Sequence, residues 1–210
     1  MRKSKRIVKP KTDTSTEEKI KRAAKIIFHK KGYAATRTRD IAQEAGINLA
    51  LLNYYFRSKE KLFDIIVFDS LLEFRKSMAD ILNNEKTSLQ TKVEKMTSNY
   101  IDFLITQPNV PLFILSEIRN HPGQLVEKMN PKSHFLKTYF VKQFKQAVKE
   151  GKIADIDPVH YIINIIAMIV FPFVASPLVK NVGNMSDVDF NELMLQRKVL
   201  IPKWLKAISK

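Results

Sequence analysis

The stretch IAQEAGINLALLNYYF, residues 41–56, decides how this chain reads. Ala42, Ala45 and Gly46 separate two short segments of helical periodicity, and the second runs into Asn53, Tyr54 and Tyr55. Two helices joined by a turn of three or four residues meet at a steep angle when their contact residues are small and the turn residue tolerates an unusual backbone. Ala42 supplies the small contact and Gly46 the turn. Leu52 is the apolar peg that closes a core with Ile41, Ile47 and Phe56. The spacing predicts a helix-turn-helix, with a helix over about 38–45 and the next over 49–56, Asn48 serving as its N-cap. Small residues at this spacing also occur in ordinary helical hairpins. The difference here is that Asn53, Tyr54 and Tyr55 lie on the side away from Leu52 and Phe56, where a merely structural helix carries charges. The major groove of B-form DNA admits one such helix, with its first residues at base edges.

Working outward, apolar residues return mostly every three or four positions and there are only five glycines, so the chain reads as helical nearly throughout. No strand and no internal repeat is predicted. A polar, Lys-rich arm over residues 1–13 precedes a first helix, capped by Thr14 with Glu17 or Ser15 with Glu18 and stopped at Gly32. Ser58 caps a long fourth helix with an apolar stripe of Phe63, Val67, Leu71, Phe74, Met78 and Ile81, ending near Asn83 and Asn84. A fifth follows on Leu89, Val93, Met96, Tyr100 and Phe103, and a sixth runs from Pro108 and Pro111 to about Arg119. The sequence NHPGQ, 120–124, breaks the chain. A seventh helix starts at Phe135 and ends at Gly151. Asp157 and Pro158 open the eighth, whose hydrogen bonding Pro172 should disturb. Ser186 with Asp189 caps a ninth, which Pro202 should kink or end. The expected fold is all-α, with about nine helices in three parts: an arm at 1–13, a three-helix DNA-binding domain at 14–57, and a larger regulatory and dimerisation domain at 58–210.

Charge agrees with a polyanionic partner. The formal net charge is +15, with 36 basic against 21 acidic side chains, and residues 1–60 alone hold 16 basic and 6 acidic groups, a balance of +10. Absence of cysteine excludes disulfides and thiolate metal sites and fits a reducing compartment. The N-terminal MRKSKRIVKPKTDTSTEEK runs into acids rather than an apolar segment, so it does not read as a secretory signal and a cytoplasmic location is expected. Residues 159–179, VHYIINIIAMIVFPFVASPLV, carry no formal charge over a length that could cross a bilayer. A membrane-associated protein with a basic arm is therefore the rival reading. His160, Asn164, Pro172, Ser176 and Pro177 interrupt the segment and favour a bundle core or subunit interface instead.

Residues 32–63, GYAATRTRDIAQEAGINLALLNYYFRSKEKLF, resemble the DNA-binding signature of TetR-type transcriptional regulators. The likeness rests on a glycine-aromatic pair, a threonine, Ile-Ala, Ala-Gly, an aromatic pair with phenylalanine, and a Lys-x-x-Leu start to the fourth helix. The resemblance implies an all-helical homodimer, each subunit placing its third helix in the major groove. Carried over by position, Arg39 reaches a base edge and Thr38 a phosphate. Asn48, Leu49, Ala50 and Asn53 lie at or near the bases. Tyr54 and Tyr55 set their hydroxyls on phosphates or pack on the first helix, and Lys59 adds a charged phosphate contact. Arg37, Ala50 and Asn53 depart from the family pattern, which usually has a small hydroxyl residue, a glycine and often a tyrosine there. The arm reaches the backbone or minor groove, or is a solubilising tail.

The resemblance further implies a repressor released from a palindromic operator when a small apolar or amphipathic effector shifts the fourth helix and thereby the separation of the two reading heads. The expected pocket is lined by Phe74, Tyr100, Phe103, Phe113, Tyr139 and Met168, with Asn164 and Glu117 as polar handles; each of these also suits ordinary core or surface packing. The predicted eighth and ninth helices form the dimer surface. A helical enzyme is disfavoured: His29, His121, His134 and His160 are scattered, and no metal-ligand spacing, phosphate loop or nucleophile elbow appears. No cofactor and no metal is expected.

Overall fold

The computed structural model describes residues 14–120 and 135–208. The predicted arm, the break after Asn120, His121 and His134 lie outside the described residues. The chain divides into two compact units, Met1–Asp69 and Ser70–Lys210. All regular structure among the described residues is helical.

The first unit is built on α1 (Thr14–Ala35), α2 (Thr38–Glu44), α3 (Leu49–Phe56) and the first turns of α4 (Lys59–Asn83). Ile20, Ala23, Ala24 and Ile27 recur at helical spacing and form the buried face of α1. Gly32 leaves the helical region at φ 73° and kinks the helix, a conformation that only glycine adopts without strain. Ile41, Ala42 and Ala45 of α2 join Leu52 and Phe56 of α3 and Leu62 and Ile66 of α4 in one core, against which Ile47, Leu49 and Tyr55 pack partly buried. Gly46 takes φ 62° at the turn, and Asn48 Oδ1 accepts the Leu51 N–H at 2.8 Å, closing the start of α3.

The second unit holds the rest of α4, then α5 (Leu89–Thr106), α6 (Val110–Asn120), a 3₁₀ turn at Phe135–Lys137, α7 (Tyr139–Lys149), α8 (Pro158–Val174), α9 (Ser176–Gly183) and α10 (Asp187–Ile208). The caps predicted at Ser58, Asp157 and Ser186 are in place: Ser58 Oγ accepts from Lys61, Asp157 Oδ1 from Val159, and Ser186 and Asp189 bond each other reciprocally; Ser88 Oγ, accepting from Thr91, caps α5 in addition. α5 packs against α7, α8 and α10 and is buried on more sides than its predicted stripe, with Lys92, Thr97, Ile101 and Leu104 inside as well as Val93 and Met96. The Lys92 ammonium is enclosed by neutral oxygens, the carbonyls of Asn84 and Thr87 at 2.5 and 2.7 Å and the Thr87 hydroxyl at 2.9 Å. Burial holds it below the ordinary lysine value.

One expectation needs correction and two are sharpened. The seventh helix does not start at Phe135, because the Thr138 hydroxyl donates to the Phe135 carbonyl at 2.7 Å and its extended backbone divides a 3₁₀ turn from α7. Ten α-helices occur among the described residues, in keeping with the expected number of about nine, and α9 is a separate one: the chain bends by 71° at Ala175, and Pro177 stands in the first turn of α9, where its missing N–H is harmless. Pro172 disturbs α8, as expected, without ending it, and Pro202 likewise stands inside its helix. Pro172 deprives the Met168 carbonyl of its usual donor four residues on, and Arg197 of α10 replaces it, donating from Nη2 at 2.7 Å. Among the described residues no single helix is long and apolar enough to cross a membrane; α8 and α9 pass that test of length and composition only as a bent pair.

Candidate nucleic-acid interface

α3 has two faces. Leu52 and Phe56 are buried, and Leu49 and Tyr55 lean on the same core. Ala50, Asn53 and Tyr54, spaced three and four apart, form the exposed face. Tyr54 meets Tyr55 edge-on at 5.5 Å, so the two rings brace each other. Eight residues make a rod about 12 Å long at ~1.5 Å per residue, with a groove-sized polar face. Asn48 is exposed, but its oxygen serves the cap, leaving its amide N–H groups facing outward.

Beside α3, the start of α2 carries an exposed Arg39 and a half-buried Thr38. Arg37 stands at the N-cap, where its side chain makes no capping bond. Asp40 compensates by accepting the Arg37 backbone N–H at 3.0 Å, while Lys31 of α1 lies 3.2 Å from the same carboxylate. The Arg37 N–H bond and then the Lys31 ammonium hold the Asp40 carboxyl below its usual range.

Lys59 is placed differently from its expected role. Its ammonium donates to the carbonyls of Tyr33 at 2.9 Å and Thr36 at 3.0 Å and sits 4.2 Å from the centre of the Tyr33 ring. One of three N–H donors remains for a phosphate. Tyr33 in turn packs with Phe28 and Phe63, and burial followed by the charges of Glu60 and Asp64 raises its phenol pKa. The buried Thr36 hydroxyl donates to the Gly32 carbonyl at 2.7 Å. Lys59, Tyr33 and Thr36 thus tie the corner before α2 to the first turn of α4. Arg57, like Tyr33 and Thr36, is not among the site residues to which spacing or resemblance points. It links α3 to α4 at φ 53°, in a γ-turn closed by Ser58 N–H to the Phe56 carbonyl at 2.5 Å. The sequence signal for it is the two-residue joint itself, Arg57-Ser58, too short for a relaxed loop.

Residues 20–66, which hold all of this geometry, match the family model for bacterial regulatory proteins of the tetR family. Over these residues the chain is similar to the DNA-binding domain of the TetR family. A relative is the "Probable HTH-type transcriptional regulator YttP" of Bacillus subtilis (strain 168), 24% identical over 173 residues, covering 80% of this chain and 82% of the relative. A solved TetR/AcrR-family regulator from Thermobifida fusca YX-ER1 is similar in fold, with TM-score 0.62 and 16% identity over 88% of this chain and 97% of that one. A TetR transcription regulator from Haloarcula marismortui ATCC 43049 is similar at TM-score 0.56 and 20% identity, covering 88% and 95%. Within the matched residues the exposed face of α3 is Ala50, Asn53 and Tyr54, and Arg39 of α2 is exposed as well.

In the second unit, three of the predicted effector-contacting residues come together. Phe74 stacks on Phe103 at 4.3 Å and meets Tyr100 at 4.6 Å, so the rings fill one another's space. Burial pushes the Tyr100 phenol up to about 12. Phe113, Glu117 and Met168 are half-buried, and Asn164 is exposed on α8. Tyr139 lies apart from the trio, against Lys92, and lines a separate groove.

Proposed function

We propose that this DNA-binding transcriptional regulator, which is not an enzyme, acts as a homodimer on a two-fold symmetric operator, each protomer laying α3 in the major groove. The observation that carries the reading is the division of α3: Leu52 and Phe56 hold it down while Ala50, Asn53 and Tyr54 face outward. Asn53 has the amide geometry that reads adenine through N6 and N7, and Arg39 the fork that reads guanine. Tyr54 and the remaining Lys59 donor are suited to phosphate, which fixes register without reading sequence. Exposed apolar residues on α8 (Val159, Ile163, Ile166) and α10 (Val188, Leu195) support those two helices as the dimer surface. A small molecule received by the second unit changes operator affinity by favouring one spacing of the two heads.

Selection of bound duplexes from a random pool, followed by titration at several salt concentrations, tests this reading. The expected product is an inverted repeat whose affinity falls steeply with salt. Equal affinity for scrambled duplexes, or a monomer at micromolar concentration on ultracentrifugation, refutes it.

A further inference from the structure

A groove of about 1600 Å³ opens in the second unit between the first half of α5, α7 with the turn after it, and the last turns of α10. It is distinct from the Phe74, Tyr100 and Phe103 cluster, none of which lines it. Its volume exceeds the roughly 300–1,000 Å³ of ordinary small-ligand pockets, enough for a chain-like molecule with water. Two features define what would complement it. Leu89, Val93, Tyr139, Ile153 and Tyr161 give it an apolar trough. Five lysines, 142, 152, 198, 203 and 206, face it against two acids, Glu94 and Glu150.

The charges do not cancel. Lys152 is paired with Glu150 at 2.7 Å and Lys198 with Asp102 at 2.5 Å, while Glu94 accepts from Gln90. Lys142, Lys203 and Lys206 make no ion pair among the described residues. Behind the wall, the fully buried Lys92 ammonium lies 5.2 Å from the Tyr139 ring with only neutral oxygens for partners, adding positive charge that no described carboxylate offsets. An inorganic anion would use the lysines and waste the trough. An uncharged hydrocarbon would do the reverse.

We propose that this groove is the effector site, and that it takes a single-chain amphiphilic anion of the long-chain carboxylate class, chain along the α5–α7 trough and carboxylate among Lys142, Lys203 and Lys206. The proposal rests on the reading that the second unit receives a small molecule. Calorimetric titration of the full chain in the absence of DNA, with laurate, dodecanol and inorganic phosphate as probes, tests it independently of operator binding. Laurate is expected to bind saturably, at one site per chain, with dodecanol and phosphate each at least about tenfold weaker. Lys142→Glu with Lys203→Glu should weaken laurate about tenfold or more at unchanged melting temperature. If that pair unfolds the protein, Lys142→Ala with Lys203→Ala should still weaken laurate and leave dodecanol unchanged. Failure of laurate to saturate overturns the proposal, as does equal binding by the charge-altered proteins. So does loss of binding on Phe74→Ala alone, which places the site in the aromatic cluster, or a change in dimer mass in place of lost laurate binding, which makes the groove a protein contact. In any of these cases the DNA reading stands or falls on its own titration.

Discussion

Removing Arg197 should destabilise the second unit by an amount that depends on whether residue 172 is proline. Pro172 leaves the Met168 carbonyl without its helical donor, and Arg197 supplies one at 2.7 Å while its guanidinium lies 5.1 Å from the Trp204 ring. A hydrogen bond from a charged donor contributes about 1.5–3 kcal/mol, and the contact with an exposed ring about 0.5–1. Against these stands the Arg197 Nε, buried without a partner, whose removal returns roughly 1 kcal/mol or more. Arg197→Met, which keeps the aliphatic bulk, should therefore cost about 1–3 kcal/mol, or roughly 2–12 °C in melting temperature for a chain of this size. Pro172→Ala restores a backbone N–H to the same carbonyl, so in that background Arg197→Met should cost less than half as much, a coupling of about 1 kcal/mol. Urea unfolding followed by circular dichroism, with equal slopes in the four proteins, measures the cycle. Equal costs in the two backgrounds would refute the repair, as would no cost with proline present.

Asn53→Ala should weaken selected operator binding by about 1–3 kcal/mol and relax preference at one base pair while leaving the salt slope unchanged, read by competition titration. Lys59→Met, which removes both carbonyl contacts, should lower stability by about 1–2 kcal/mol without DNA present; a protein that melts normally and loses only one phosphate contact in the salt slope would contradict the anchoring role. Absorbance titration should find the last phenol to ionise at about 12, and Tyr100→Phe should remove it. The folded value lies above the ordinary 10, so burial of the neutral phenol contributes stability that is fully present below about pH 10 and is lost as pH rises toward 12. Tyr100→Phe should therefore flatten the alkaline fall in stability.

Local chemistry made the first unit legible. Ala42, Gly46, Asn48 and Leu52 each act within a few residues of their position, so spacing alone predicts the turn, the cap and the buried peg. The same holds for the Ser186 and Asp189 cap. What spacing could not show was supplied from afar: Arg197 repairs the Met168 carbonyl from 29 residues away, and Lys59 holds the Tyr33 and Thr36 carbonyls from 26 and 23. Pro177 read as an interruption because a proline that opens a helix looks, without the bend before it, like one that breaks it. The aromatic positions 74, 100 and 103 belong to the larger set of residues expected to line a pocket. Periodicity does not say whether such rings leave room for a ligand or occupy it themselves, and here they stack.

The short joint at Arg57 and Ser58, together with the Lys59 clamp, has a bearing on how this protein could be retargeted. Both short helices of the head hang from one turn of α4, through side chains and backbone that take no part in the outward face of α3. Residues 50, 53 and 54 can therefore be exchanged as a cassette without disturbing the mounting. Grafting another regulator's three outward side chains onto this rod should change the base preference at the positions α3 faces, Arg39 keeping its own, while the melting temperature stays put, making the joint a socket for interchangeable readers.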